Sequence, residues 1–294
     1  MNVLITGAGG FLGNELIRQL LKTTHVVYAL SSDKEQIKTR FSNKCHAFSI
    51  KEWEDGKLPL DKIDVVIHCA FARAHKGGEE IAKSLLFTNK LFNEIVKENV
   101  PSLINISTQE VYGSMACPWI ESNGQNPMTV YGTAKYYTEL LAQSLIDNNQ
   151  THITSIRLAG LIGRTTDSRM VNKFIDKAIN NEPLQIAGGK LVFSQLDVKD
   201  AASGIITLLS VPAEKWRHTY NLGFTKSYSI QEIAAIVQAV GKEYNKEVII
   251  KVEKSDLVIQ AELDSTALYD DTNWKPKYDM EEMVSSIFKF KMNL

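Results

Sequence analysis

The stretch Asn2-Val3-Leu4-Ile5-Thr6-Gly7-Ala8-Gly9-Gly10-Phe11-Leu12-Gly13 is a short apolar run that ends in a glycine cluster, and Leu16, Ile17, Leu20 and Leu21 follow at helical spacing. Strand, glycine turn and amphipathic helix in that order suit a dinucleotide. Gly7 permits the tight turn, Gly10 lets the backbone approach a pyrophosphate, and Gly13 lets the helix pack close to the sheet. The phosphates would rest on the helix N-terminus. An ordinary turn is also rich in glycine; the strand before and the helix after separate the two.

Outward from this unit, His25 to Leu30, Asp64 to Ala72, Leu103 to Ser107 and Ile153 to Leu158 read as further apolar strands. Helical patterns lie between them at Glu79 to Asn99 and Pro127 to Ile146. Such alternation predicts an α/β protein with a Rossmann-type doubly wound parallel sheet. The second half is less regular, with helices expected over Val171 to Asn180, Ala201 to Leu209 and Ile230 to Val240. No repeat and no Pro/Ser/Gly-rich joint is visible, so a second lobe should form by excursions from the first. We expect the dinucleotide-binding domain over 1–165 and about 191–222, and a smaller mixed α/β substrate-binding lobe over about 166–190 and 223–294.

The 294 residues are 44% hydrophobic and 23% charged, an ordinary globular composition, and 33 Lys plus Arg against 34 Asp plus Glu leave a net charge of -1. Without a basic excess, nucleic acid is not an expected partner. Cys45, Cys69 and Cys117 match neither a disulfide framework nor a zinc site, so no metal is expected. No run reaches the roughly 18 to 20 apolar residues of a membrane span, and Met1-Asn2-Val3 carries no basic leader. A cytoplasmic protein without membrane contact is the expectation.

A second strand that serves NAD ends in an acidic residue on the adenosine ribose. Here Ser31-Ser32-Asp33-Lys34 follows Leu30. Ser31 removes a charge that would repel a 2'-phosphate, and the hydroxyls of Ser31 and Ser32 with Lys34 can receive one. NADP is favoured over NAD on that ground, although Asp33 pulls the other way and an ordinary Ser-rich turn looks the same.

Tyr131-Gly132-Thr133-Ala134-Lys135 places a phenol and an ammonium on one helix face. A nearby cation would stabilise the phenolate and lower the tyrosine pKa, making Tyr131 a general acid or base. Thr108 follows the strand Leu103 to Ser107, at the sheet edge where ligands bind, and its hydroxyl can orient a carbonyl or alcohol oxygen toward the phenol.

These motifs resemble the extended short-chain dehydrogenase/reductase superfamily, in its NAD-dependent epimerase/dehydratase group. The matching pieces are Thr6 to Gly13, Ile106-Ser107-Thr108-Gln109-Glu110-Val111-Tyr112-Gly113 and Tyr131 to Lys135. Weaker echoes lie at Arg157 to Gly163, Tyr220 to Gly223 and Trp274-Lys275-Pro276. The resemblance implies that Tyr131 is the catalytic acid/base, that Lys135 binds the nicotinamide ribose and tunes Tyr131, and that Thr108 hydrogen-bonds the reacting oxygen. It also implies Ser107 beside the cofactor, Phe11 and Leu12 near the pyrophosphate, Ala70, Phe71 and Ala72 along the cofactor cleft, and Asn89 as a cofactor-side asparagine.

Departures narrow the chemistry. Gln109-Glu110 stands where dehydratases of the group carry an acidic pair, and an amide cannot exchange a proton, which disfavours 4,6-dehydration. Gly160 stands where many nucleotide-sugar-binding members have Asn, and Phe193 lies near the place of a phosphate-holding Arg, which argues against a nucleotide sugar.

The expected activity is hydride transfer between NAD(P) and a secondary alcohol or ketone of a sugar-like molecule, with a nucleotide sugar kept open, as an epimerase or as a reductase. The alternative is a non-catalytic dinucleotide sensor on the same fold, as in NmrA-like regulators, which lack the tyrosine. Gln109 is a substrate-side candidate. An anionic substrate is expected, held by Arg164 and Arg169 around Thr165-Thr166-Asp167-Ser168. Family members commonly dimerise through two helices, and Phe92, Ile95, Tyr136 and Leu140 would give the homodimer a second apolar face. His68, inside an apolar strand, reads as a satisfied core histidine.

Overall fold

The computed structural model describes residues 1–146, 150–164 and 169–294. In β1 (Asn2–Thr6), Val3 and Ile5 enter one core and Leu4 the opposite one, the period-two signature of a strand buried on both faces. The glycine turn then opens into α1 (Phe11–Leu20), which buries Leu12, Leu16, Ile17 and Leu20. From β1 the sheet grows one way through β2 (Val26–Ser31), α2 (Lys34–Arg40), β3 (His46–Ser49) and α3 (Ile50–Glu54). It grows the other way through β4 (Val65–His68), α4 (Gly78–Lys97), β5 (Ser102–Thr108), α5 (Val130–Ile146) and β6 (His152–Leu158).

Beyond β7 (Gly160–Ile162), α6 (Met170–Ile179), β8 (Leu184–Ala187) and β9 (Lys190–Asp197), the chain returns through α7 (Val198–Leu208) to β10 (Thr219–Leu222). The seven-stranded sheet runs β3-β2-β1-β4-β5-β6-β10 with every pair parallel. Chain progress reverses between β1 and β4, so a crevice opens beyond the carboxyl ends of those strands. The doubly wound sheet read from the sequence is thus the sheet observed.

The second lobe adds β11 (Ser227–Ser229), α8 (Ile230–Glu243), β12 (Ile250–Glu253), β13 (Val258–Ala261), α9 (Thr266–Thr272) and α10 (Met280–Lys291). β9 pairs antiparallel with β11 and parallel with β13 and β7, while β8 pairs with β12. Ile175, Ile233, Val237, Val284 and Ile287 form its own core between α6, α8 and α10. β9 spends its backbone hydrogen bonds on β7, β11 and β13, and α7 packs on α1. Leu268 and Trp274 join the hydrophobic core that holds Val3, Ile5 and Leu16. No helix among the described residues is long and apolar enough to cross a membrane.

Candidate active site

Gly7 adopts a positive φ of 65°, and a Cβ there would stand 2.8 Å from the Ala70 backbone. A Cβ on Gly13 would collide with the Gly7 carbonyl oxygen, so the helix can lie this close to the turn only without a side chain there. Gly10 caps α1 with no side-chain hydrogen bond, and the first turn carries no acidic residue. The leading N–H groups and the helix dipole therefore meet the crevice without a protein anion to satisfy them, which fits a dinucleotide pyrophosphate.

His68 braces this turn from below. Thr88 Oγ donates to the Ser84 carbonyl at 2.8 Å, so it receives the His68 Nε2 proton at 2.9 Å; His68 Nδ1 then accepts from Thr6 Oγ at 2.8 Å. Burial, and secondarily the Lys135 charge, push the imidazole pKa down to about 3, so it stays neutral.

Ser31 ends β2 with its hydroxyl 3.2 Å from where a Cβ on Gly9 would be, which sets it beside the glycine turn. Lys34 does not stand ready for a 2'-phosphate: it forms an ion pair with Glu52, whose carboxylate is already fixed in the capping box of α3. Asp33 is occupied too, accepting from Gln36 N at 2.9 Å as the N-cap of α2, and Ser32 is exposed.

One cavity of about 600 Å³ collects Gly7, Gly10, Phe11, Leu12, Gly13, Phe71, Ser107, Thr108, Tyr131 and Lys135. Tyr131 sits in the first turn of α5, and Thr108 at the carboxyl end of β5. The Thr129 hydroxyl donates to Glu110 at 2.8 Å, tying the start of α5 to the loop after Thr108. Lys135, one turn below Tyr131, is buried and donates to the Ile106 carbonyl at 2.6 Å, with its ammonium 4.1 Å above the Phe71 ring. Burial lowers its pKa to about 8, with Cys69 and Glu139 opposing the shift.

The expected lowering of the tyrosine pKa does not occur. Burial and the Glu110 carboxylate push Tyr131 up to about 12, and the cations that oppose them are Arg169 and Arg73, while Lys135 is turned toward the Ile106 carbonyl and Phe71. At neutral pH Tyr131 therefore holds its proton.

Beneath the cleft lies a polar network. Ser107 donates to Glu139, and Glu139 takes the Arg157 fork through Nη2 at 2.7 Å and Nε at 3.1 Å. Arg157 Nη1 donates to Tyr112 Oη at 2.9 Å, which donates to Asn221 Oδ1 at 2.7 Å. Register explains the line-up, because Ser107, Arg157 and Asn221 are direct partners on β5, β6 and β10.

Several expected residues lie elsewhere. Asn89 is exposed on α4 and accepts from Asn93, because α4 turns Ile81, Thr88, Leu91 and Phe92 inward instead. Ala70 and Ala72 are half-buried behind the cleft, where their N–H groups donate to Thr6 and Ser84. Glu110 rather than Gln109 lines the cavity. Arg164 points away, donating to Ser286 on α10 at 2.8 Å, whereas Arg169 lines the cleft and stacks 4.3 Å from the Phe11 ring. Thr165 to Ser168 lie outside the described residues. Phe92 and Ile95 are fully buried in the core that holds Leu4 and Leu103, and Tyr136 packs against the separate core that holds Val3 and Ile5. The cavity also takes in Cys69, Arg73, His75, Gly160, Leu161, Met170 and Gln195; Gly160 is marked in the sequence by its departure from the family's asparagine, and Arg73 and His75 lie in the loop after a strand end.

The family description that matches the sequence is the NAD dependent epimerase/dehydratase family, over residues 3–223. A low-salt glycan biosynthesis protein of Haloferax volcanii is 26% identical over 262 residues, covering 82% of this chain and 83% of its own. The structure of a UDP-N-acetylglucosamine 4-epimerase from Bacillus cereus superposes with a TM-score of 0.85 at 22% identity, covering 98% of both chains. A UDP-glucose-4-epimerase from Stenotrophomonas maltophila, solved with bound NAD and formylated UDP-arabinopyranose, superposes with a TM-score of 0.84 at 21% identity, covering 100% of this chain and 98% of its own.

Proposed function

Because the chain belongs to the NAD dependent epimerase/dehydratase family, we propose that it is a hydride-transfer enzyme acting on a secondary alcohol or ketone of a nucleotide sugar, with epimerisation the favoured outcome. The observation that carries this reading is the convergence of Thr108, Tyr131 and Lys135 with the glycine turn on one cavity. A sensor has no use for a buried lysine one turn below a cleft-facing phenol. The relatives solved with UDP-sugars favour a nucleotide sugar despite Gly160 and Phe193.

The unsatisfied N–H groups at the start of α1 would hold the pyrophosphate, Ser31 would face the adenosine ribose, and Ser107 and Lys135 would lie along the nicotinamide ribose. When bound, the nicotinamide supplies the hydride acceptor and donor. Thr108 Oγ orients the reacting oxygen, and Tyr131 Oη gives it a proton when a carbonyl is reduced and takes one when an alcohol is oxidised. A phenol that keeps its proton at neutral pH favours the reducing half. Closing the Lys135 ammonium on Tyr131 would lower its pKa and favour the oxidising half.

The test is to incubate the protein and NAD with UDP-glucose, UDP-N-acetylglucosamine and UDP-glucuronic acid, and follow sugar stereochemistry by NMR and cofactor by absorbance. Interconversion without net reduced cofactor is the expected result. Stoichiometric reduced cofactor would mean a dehydrogenase, and bound dinucleotide with no turnover of any probe would favour the sensor.

With Lys34 committed to Glu52, we assign NAD as the cofactor, in keeping with the NAD-bound relative. Ser31→Asp should lower the ratio of NADP to NAD affinity further, since a carboxylate there accepts from the ribose hydroxyls and repels a 2'-phosphate. A competition titration with no change in that ratio would place the ribose elsewhere.

A homodimer is proposed through the same two helices, keeping Leu140 of the expected set but not Phe92, Ile95 or Tyr136. Val130, Tyr137 and Leu140 form an exposed stripe on α5, and Leu86 stands 72% exposed on the adjacent α4. Light scattering at micromolar concentration should give a dimer mass that Leu86→Glu with Leu140→Glu halves; a wild-type monomer would remove the idea.

A further inference from the structure

Gly160 on β7 and Gln195 on β9 are direct register partners in a parallel pair, so their side-chain positions fall on one face of the sheet. A Cβ built on Gly160 would stand 2.7 Å from Gln195 Oε1 and 3.0 Å from Nε2. The Gln195 carboxamide thus lies flat over the glycine, in space that a side chain at 160 would take. Both residues line the cleft that holds Tyr131 and Thr108. The Gln195 backbone carbonyl accepts from Phe224 N at 3.3 Å, but its carboxamide has no hydrogen-bond partner among the described residues.

A half-buried amide with no internal partner, on a wall otherwise made by Leu158, Leu161, Ile162 and Met170, is poised for a ligand. Its chemistry narrows that ligand. Arg73, Arg169 and Lys135 supply the positive charge of the cavity, whereas a carboxamide is neutral and offers both a donor and an acceptor. The group that answers both at once is a hydroxyl. We infer that Gln195, laid across Gly160, is a specificity-determining residue that hydrogen-bonds a ring hydroxyl of the sugar. This rests on the nucleotide-sugar reading of the site. Gly160 serves it by leaving room: a larger residue would push the flexible end of Gln195 aside rather than disturb the backbone.

The experiment measures binding of UDP-glucose and of UDP to the NAD-loaded protein by titration calorimetry, in wild type, Gln195→Ala, Gly160→Ala and the double variant. Gln195→Ala should weaken UDP-glucose about tenfold, the scale of one well-placed hydrogen bond, and leave UDP within about twofold. Gly160→Ala should reproduce that loss by displacing the carboxamide, and the double variant should be no worse than either single one, because both remove the same contact. Equal weakening of UDP and UDP-glucose would place the contact on the UDP moiety and overturn the inference, as would losses that add in the double variant. Wild-type binding of UDP-glucose that Gln195→Ala leaves unchanged overturns the inference alone. A wild-type protein that binds neither probe overturns the nucleotide-sugar reading and the inference together.

Discussion

Tyr131→Phe should lower turnover by about 10²- to 10⁴-fold while leaving dinucleotide affinity within a few-fold. The ring survives in that variant, so its edge-to-face packing on Phe71, with centroids 6.0 Å apart, is kept and only the proton is lost. Single-turnover hydride transfer and cofactor titration read the two effects separately. Because burial and Glu110 hold the phenol at about 12, wild-type reduction of a carbonyl should show no loss from tyrosine ionisation between pH 6 and about 8. Lys135, at about 8, changes charge close to neutrality within the same cleft. As pH rises through that value the ammonium becomes an amine, and dinucleotide affinity should fall with it. A Tyr131→Phe enzyme that turns over at the wild-type rate would dismiss the phenol from the chemistry.

The glycine turn, the parallel strands and the Tyr131 to Lys135 helix were legible because each is local. Strand period, helix period and φ-permissive residues act over a few positions, and each of these segments buries its apolar side where the pattern says. What escaped depends on contacts distant in sequence. The engagement of Lys34 by Glu52 joins α2 to α3, and the turning of Lys135 toward Ile106 joins α5 to β5. Neither follows from spacing. On α4 a step of one residue rotates a side chain by about 100° and exchanges core for solvent, which is why Thr88 is buried and Asn89 exposed, a distinction that composition does not make. Arg164 and Arg169 both precede α6, and the first donates to Ser286 on α10 while the second turns to Phe11.

One signal for the supporting network did exist. Arg157 is a lone charge in the otherwise uncharged segment Ile153 to Leu158, and Glu139 stands four residues after Lys135, on the same helix face. A cation in a buried strand requires a partner.

That pairing sets the second large effect. Arg157→Met should cost about 3 to 5 kcal/mol of stability, because it strands the Glu139 carboxylate, only 7% exposed, in the interior. At the usual entropy of unfolding for a chain of this size, the melting temperature would fall on the order of 10 °C. Adding Glu139→Gln to Arg157→Met removes the unpaired charge and should recover most of that loss, since neutral, well-packed replacements of a buried ion pair are often tolerated. Function should not recover alongside. With a carboxamide in place of the carboxylate, Ser107 keeps only a neutral, weaker acceptor for its hydroxyl in the cleft, and Lys135 loses the negative charge that supports its protonation. The double variant should therefore melt near wild type, bind dinucleotide more weakly, and lose affinity at a lower pH than wild type does. If stability returns together with wild-type affinity and pH dependence, the Arg157–Glu139 pair serves packing alone, and the positioning of Ser107 and Lys135 must come from the β5 backbone.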